Sequence, residues 1–415
     1  MKTKAFPECS LPPKMQEKAD RMNLDETRVP PFEMLPLPFD DSTPGAEKIM
    51  RAARTREIFA GELYGEIPPR CEAVEFVLTS SGKAFDGLAE RREIDIRCRG
   101  NRHARTLRML LYLPRNRRGK VPCMLGLNSS GNIGTTTDPG VTFVPFRRYA
   151  DPSPWLDDNR ADESRRGEKA YRWQFEKVIA AGFAAATCCQ FDACADHPDG
   201  MTDSILPLFY PEKELLSPMR KSAAISAWTW GLMRCIDALE VIDGIDPHRI
   251  IVHGLSRRGK TALWLGANDP RPAMIVSICS GTCGAKMSRR YFGESMEWLD
   301  NWRKYWFVPS FPRFAGHDTQ MPFDQHQLMA LISPRILYVA SASEDPYADP
   351  RGEYLATAAA SAAWGNDGLP PDTAFPQPGS GVGDRSVRYF LRPGQHDFNE
   401  ENWDDLLNFA AKKFL

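Results

Sequence analysis

The stretch Arg249-Ile250-Ile251-Val252-His253-Gly254-Leu255-Ser256-Arg257-Arg258-Gly259-Lys260-Thr261-Ala262-Leu263 constrains the fold more than any other. A short β-branched run reads as a strand. Gly254 marks a kink, and a helix-competent segment begins immediately after it. A strand, a sharp turn and a helix in so few residues lift one hydroxyl, that of Ser256, out of a sheet. They set it at the electropositive start of a helix. The usual form of this turn is G-x-S-x-G, and here the second glycine falls one place late, at Gly259. The general spacing fails while the physical device survives. A serine in such a turn also serves as a plain helix N-cap, so its role depends on its partners.

Around this turn the chain alternates. Ala73–Leu78, Arg92–Arg97 and Thr106–Leu113 read as strands with one exposed face, an antiparallel start to a sheet. Val121–Leu127 is continuously apolar, as a central strand covered on both faces would be. A helix over Arg172–Ala181, a strand over Phe183–Cys189 and a long buried helix over Ser222–Ile242 follow. After the turn come strands at Met274–Cys279, Arg335–Ala340 and Val387–Leu391, then a helix over Asn399–Phe414. This order predicts an α/β fold: a mostly parallel central sheet, helices on both faces, antiparallel strands at its start. Residues 1–65, rich in proline and charge at first and helical over Gly45–Tyr64, read as an N-terminal arm packing on the main body. Ile49, Ala52, Ala53 and Ile58 are available for the helix's buried face. Residues 66–415 read as one α/β domain, a catalytic one if Ser256 has partners. Long inserts at about 133–170 and 284–325 are placed to shape a binding site.

Composition removes several classes of function. A net charge of −1 over 415 residues gives no electrostatic reason for nucleic acid or an anionic membrane as partner. No apolar run reaches the roughly 20 residues of a membrane helix. Ten cysteines without a C-x-x-C pair, and seven histidines without ligand spacing, argue against zinc; buried free thiols are the plain reading, with one or two disulfides open if the chain is exported. Met1–Pro7 carries basic residues with no apolar region after them, which fits a cytoplasmic protein or one whose export signal has been removed.

A serine hydroxyl becomes a nucleophile when a base takes its proton, and the base needs an acid to fix its tautomer. In open parallel sheets these groups sit in loops at the carboxyl ends of strands. His396 does so, in Gly394-Gln395-His396-Asp397 after the final strand. The acid is expected after Arg335–Ala340, within Ser343-Glu344-Asp345-Pro346-Tyr347-Ala348-Asp349. Asp345 is preferred, with Glu344 and Asp349 open. The order Ser, acid, His is that of α/β-hydrolases.

Gly254-Leu255-Ser256-Arg257-Arg258-Gly259-Lys260 resembles the elbow G-x-S-R-x-G-K of the glucuronoyl esterases, carbohydrate esterase family 15. The likeness continues through Ser288-Arg289-Arg290-Tyr291-Phe292-Gly293-Glu294, Pro322-Phe323-Asp324-Gln325-His326 and Gly394-Gln395-His396-Asp397, and spans about 105–415. It implies an α/β-hydrolase that cleaves esters of glucuronic acid, as in lignin–carbohydrate linkages. Ser256 would be the nucleophile, His396 the base and Arg257 an oxyanion donor through its N–H and guanidinium. Lys260 and Glu294 would hold sugar hydroxyls. Two departures are visible. Cys279 stands where many members carry a glutamate, so the acid would be the later Asp345. Tyr347 stands where a tryptophan often packs on the sugar, and it would keep the stacking platform.

The expected protein is a secreted or periplasmic serine esterase. It would act as a monomer on a glucuronoxylan-type carbohydrate ester, without cofactor or metal and without nucleic acid or membrane as partner. Two rivals stay open: a deacetylase of xylan on the same scaffold, and a catalytically silent carbohydrate-binding relative suggested by Cys279.

Overall fold

A computed structural model describes residues 22–100, 103–144, 163–370 and 372–415. Its centre is a ten-stranded sheet in the order β1-β2-β3-β5-β4-β6-β7-β8-β10-β9. The strands are β1 Ala73–Ala84, β2 Ala89–Arg99, β3 Ala104–Pro114, β4 Val121–Asn128 and β5 Ala184–Cys189. They continue with β6 Ile245–Leu255, β7 Met274–Ile278, β8 Ile336–Ala342, β9 Ser380–Val382 and β10 Val387–Arg392. From β5 through β10 neighbouring strands run parallel. The β1, β2 and β3 strands pair antiparallel with each other, and β3 pairs antiparallel with β5. The mostly parallel sheet with an antiparallel beginning is therefore the one expected from the sequence.

Every residue of β4 and β5 is buried, which explains their lack of polar alternation. Alternate side chains feed two cores. On one face lie Cys123, Leu125, Ile250, Val252, Ile275, Leu337 and Val339, with α3 (Ala224–Val241) and α4 (Arg257–Asn268). The other face takes Met124, Ile251, Met274, Val276 and Tyr338, covered by α2 (Phe175–Ala180) and α8 (Glu400–Phe414). Two apolar layers on one sheet hold the strand ends rigid, and the functional loops hang from those ends.

Three local readings change. The helix expected over Arg172–Ala181 breaks at Gln174, which takes a left-handed conformation (φ 44°, ψ 39°) between two short helical pieces. The strand β9 was not anticipated; its three residues, Ser380-Gly381-Val382, are too few and too small to give a pattern. In α1 (Gly45–Phe59) Ile49 is 69% exposed, and the buried residues are Thr55 and Phe59. Of the expected face, Ala52 and Ile58 do pack against the core beside Phe59, and the π-helical turn Ala60–Tyr64 adds Leu63 and Tyr64 to it.

Residues 22–39 run along the 284–325 insert, which carries α5 (Met296–Arg303) and leads into α6 (Gln325–Ala330). Gly293 N–H donates to Asn23 O at 2.8 Å, Asn23 Nδ2 to Tyr291 O at 3.0 Å and Gln327 Nε2 to Pro36 O at 2.7 Å. Glu26 pairs with Arg290, and Phe39 is buried in the core. Residues 1–21 of the arm and 145–162 of the first insert lie outside the described residues. Cys71, Cys98, Cys123, Cys188, Cys189, Cys194, Cys235, Cys279 and Cys283 are buried free thiols. Among the described residues no helix is long and apolar enough to cross a membrane.

Candidate active site

Leu255 ends β6, and Ser256 follows with φ 60° and ψ −128°. For a residue other than glycine this conformation costs on the order of 1–3 kcal/mol, and it is kept only where surroundings over-determine it. Here they do. Ser256 N–H donates to Ile278 O at 2.8 Å, and its carbonyl accepts from the N–H of Gly259 (2.8 Å) and Lys260 (3.2 Å). Its side chain makes no cap hydrogen bond to α4, so capping does not account for the serine.

The displaced glycine has a steric reason. A Cβ on Gly259 would lie 2.9 Å from Gly254 O, Ser277 Oγ and Ser280 Cβ; one on Gly254 would lie 2.2 Å from Arg258 C. The first turn of α4 thus rides directly on the ends of β6 and β7, a closeness that side chains at 254 or 259 would forbid.

Asp345 follows β8, and His396 lies between β10 and α8. Nδ1 of His396 donates to Asp345 Oδ2 at 2.6 Å. A carboxylate only accepts, so the proton sits on Nδ1 and Nε2 is left as an acceptor. The Asp345 side chain is 3% exposed and that of His396 is 42% exposed, which gives an imidazole open to solvent with a buried carboxylate behind it. Burial works to lower the imidazole pKa, but the charge and hydrogen bond of Asp345 prevail and raise it above the usual 6.5. Glu344 is exposed. Asp349 is committed elsewhere: it caps α7 (Pro350–Ala360) through Gly352 N–H at 2.9 Å and takes the Arg290 guanidinium at 2.6 Å. The nearby His253 is no rival base. It is enclosed by Trp173, Phe398 and Trp403, and burial pushes its pKa down to about 3.

Arg257, the first residue of α4, is held sideways. Its Nε lies 2.6 Å from Asp196 Oδ2, and its guanidinium sits 5.7 Å from the Trp306 ring centroid. Asp196 in turn accepts from Trp306 Nε1 (2.7 Å), Tyr305 hydroxyl (2.9 Å) and Gln190 Nε2 (3.0 Å). Gln190 also takes Arg258 Nη1 at 3.2 Å. Sequence reading missed Asp196, because its partners come from an insert about a hundred residues away.

Lys260 is buried, with Nζ on Ser280 O and 3.7 Å from Glu294 Oε2. Glu294 is the more open of the two. Burial raises its carboxyl pKa, and Lys260, Lys286 and His396 oppose that rise. Glu294 N–H donates to Tyr347 O at 2.9 Å, which ties the insert to the acid loop, and Tyr347 is half-buried. A second residue missed by sequence reading is Glu353 on α7. Its carboxylate accepts Ser280 N–H (2.7 Å) and Gly281 N–H (2.9 Å) and the Ser341 hydroxyl. It thereby locks the ends of β7 and β8 together, and burial pushes its pKa up to about 7. A cavity of about 300 Å³ between β2, β3 and the loop after β4 is lined by Arg108, Asn132 and Asp192.

The sequence profile of the fungal glucuronyl esterases matches residues 191–368. A carbohydrate esterase from an unknown prokaryotic organism is 33% identical over 94% of this chain and 91% of its own length. Among solved structures, a glucuronoyl esterase from Solibacter usitatus is 35% identical, with a TM-score of 0.84 over 93% of this chain and 99% of the other. A promiscuous CE15 esterase from a marine bacterial metagenome is 33% identical, with a TM-score of 0.82 over 94% and 99%.

Proposed function

The chain belongs to carbohydrate esterase family 15, and we propose that it hydrolyses esters of glucuronic or 4-O-methyl-glucuronic acid, the uronate being part of a glucuronoxylan-type carbohydrate. The observation that carries the reading is the 2.6 Å pairing of His396 Nδ1 with buried Asp345, set in loops of the same sheet edge as the strained serine turn.

In the proposed mechanism, Ser256 Oγ attacks the ester carbonyl while His396 Nε2 takes its proton. Asp345 holds the imidazole tautomer and stabilises the imidazolium. Negative charge grows on the carbonyl oxygen beside the start of α4, where the Arg257 N–H and guanidinium receive it. One such donor is worth on the order of 10²–10³ in rate. The imidazolium returns its proton to the departing alcohol, and water repeats the sequence on the acyl-enzyme. Glu294 offers acceptors to sugar hydroxyls, Lys260 behind it favours its carboxylate form against the effect of burial, and Tyr347 flanks the ring. Export to the cell exterior or periplasm, and action as a monomer, belong to the same proposal.

The test is turnover of benzyl glucuronate, methyl glucuronate and acetylated xylan by the parent and by Ser256→Ala. Hydrolysis of the uronate esters by the parent, abolished in a folded Ser256→Ala, is the expected result. Undiminished turnover by the variant would sink the mechanism, and preference for acetylated xylan would move the substrate to acetyl esters.

A further inference from the structure

Behind the imidazole lies a third polar atom that the proposed chemistry leaves unused. One donor atom each from Cys279, Asp345 and His396 lies within 4.8 Å of the other two. Cys279 begins the loop after β7, and its backbone is held by Cys279 N–H donating to Ala340 O at 2.8 Å. Among the described residues the thiol's hydrogen-bond contact is a weak one, 4.0 Å to Asp397 O. We infer that these three side chains form a site for a thiophilic divalent cation, zinc or cadmium, and that occupancy of this site switches the enzyme off.

The donor set suits such an ion. Thiolate, imidazole and carboxylate are the ligands of zinc, at roughly 2.0–2.3 Å from the metal, which places donor pairs roughly 3.3–3.8 Å apart. The widest spacing here would close by about 1 Å, and the His396–Asp345 pair would open by a similar amount, within what loop side chains absorb. Charge favours it too. A dication with one thiolate, one carboxylate and a neutral imidazole is locally neutral, so two almost fully buried ligands, Cys279 at 2% and Asp345 at 3% exposure, do not leave a lone charge out of water. The half-open His396 gives access from solvent, and a water molecule would complete a tetrahedron.

The consequence follows from proton bookkeeping. The cation takes the Nδ1 lone pair, so the Nδ1 proton must go, and the neutral ring carries its proton on Nε2 instead. Cys279 releases its thiol proton to solvent, one proton per ion bound. With Nε2 protonated, the ring no longer accepts the Ser256 proton. The inhibition, though not the binding, rests on the esterase reading given above.

The experiment titrates the full chain with Cd²⁺, read by the ultraviolet thiolate-to-cadmium charge-transfer band, and in parallel measures benzyl glucuronate hydrolysis against Zn²⁺. Parent, Cys279→Ala and the near-isosteric Cys279→Ser are compared, the last in case alanine disturbs the loop. The expected result is a band saturating at one equivalent, and loss of turnover that a chelator reverses. The Cys279 variants should lose the band and resist Zn²⁺ at least about tenfold better, with metal-free turnover within about twofold of the parent. A band that survives in Cys279→Ala, or equal inhibition of parent and variants, overturns the site. If the parent hydrolyses no ester but shows a Cys279-dependent band, the esterase reading fails and the cation site stands.

Discussion

At the residue scale the decisive pair is His396 with Asp345. Because the carboxylate raises the imidazole pKa above 6.5, the base is lost as pH falls through that raised value. The acidic limb of kcat/KM is therefore expected above pH 6.5 in the parent. In Asp345→Asn the limb should move down, and kcat should fall by about 10⁴, as when a triad acid can no longer fix the tautomer. Glu344→Gln, on an exposed side chain, should leave both unchanged; the reverse ranking of the two variants would show that the wrong carboxylate has been assigned. Asp196 supports a different quantity. Replacing it by Asn weakens the grip on Arg257 and leaves a mostly buried guanidinium without its counter-ion, at a cost of about 3–5 kcal/mol. The expected signature is a kcat loss of about 10–100-fold with little change in KM, because a donor aligned for the transition state is disordered. An unchanged kcat in a stable Asp196→Asn would show that Arg257 needs no anchor.

At the element scale the turn between β6 and α4 carries the argument. Gly259→Ala puts a methyl 2.9 Å from Gly254 O, Ser277 Oγ and Ser280 Cβ, so α4 must lift from the sheet edge. Overpacking of this kind costs about 1–3 kcal/mol. Since the same helix start positions Ser256 and Arg257, turnover should fall by about 10²-fold or more even in protein that remains folded. Urea midpoints measured beside kcat separate the two effects, and a stable variant with full activity would refute the steric account. This turn was legible in the sequence because every residue that makes it lies within one short segment. The Gln174 break and the three-residue β9 were not legible, since neither leaves a hydrophobic period. The exposed Ile49 shows a third limit: periodicity identified the helix, but only tertiary docking through Phe59, Leu63 and Tyr64 decided which turns of it touch the core.

At the scale of the whole molecule, legibility depended on whether partners follow the order of the strands. Asp345 and His396 could be paired from strand order because each follows a strand of the parallel sheet, as Ser256 does. Asp196, Glu353 and the convergence of Cys279 on His396 are products of packing between distant loops, which no spacing records. The 22–39 strap is another such product. It crosses residues 289–294 through Asn23, Glu26 and Glu33, and that segment ends in Glu294. The loops that bear Ser256, Asp345 and His396, in contrast, hang from the sheet ends. Deleting residues 1–36 should therefore loosen the sugar-holding side more than the chemical centre. The expected outcome is a KM for a glucuronoxylan ester raised by about tenfold or more, with kcat on a simple aryl ester within about threefold of the parent. Glu26→Ala alone should give a smaller effect, because Arg290 Nη1 keeps its contact with both carboxylate oxygens of Asp349. Steady-state kinetics on both substrates decides the matter. A truncated, folded chain that loses kcat on the aryl ester while keeping its KM would place the strap's influence at the sheet edge rather than at Glu294.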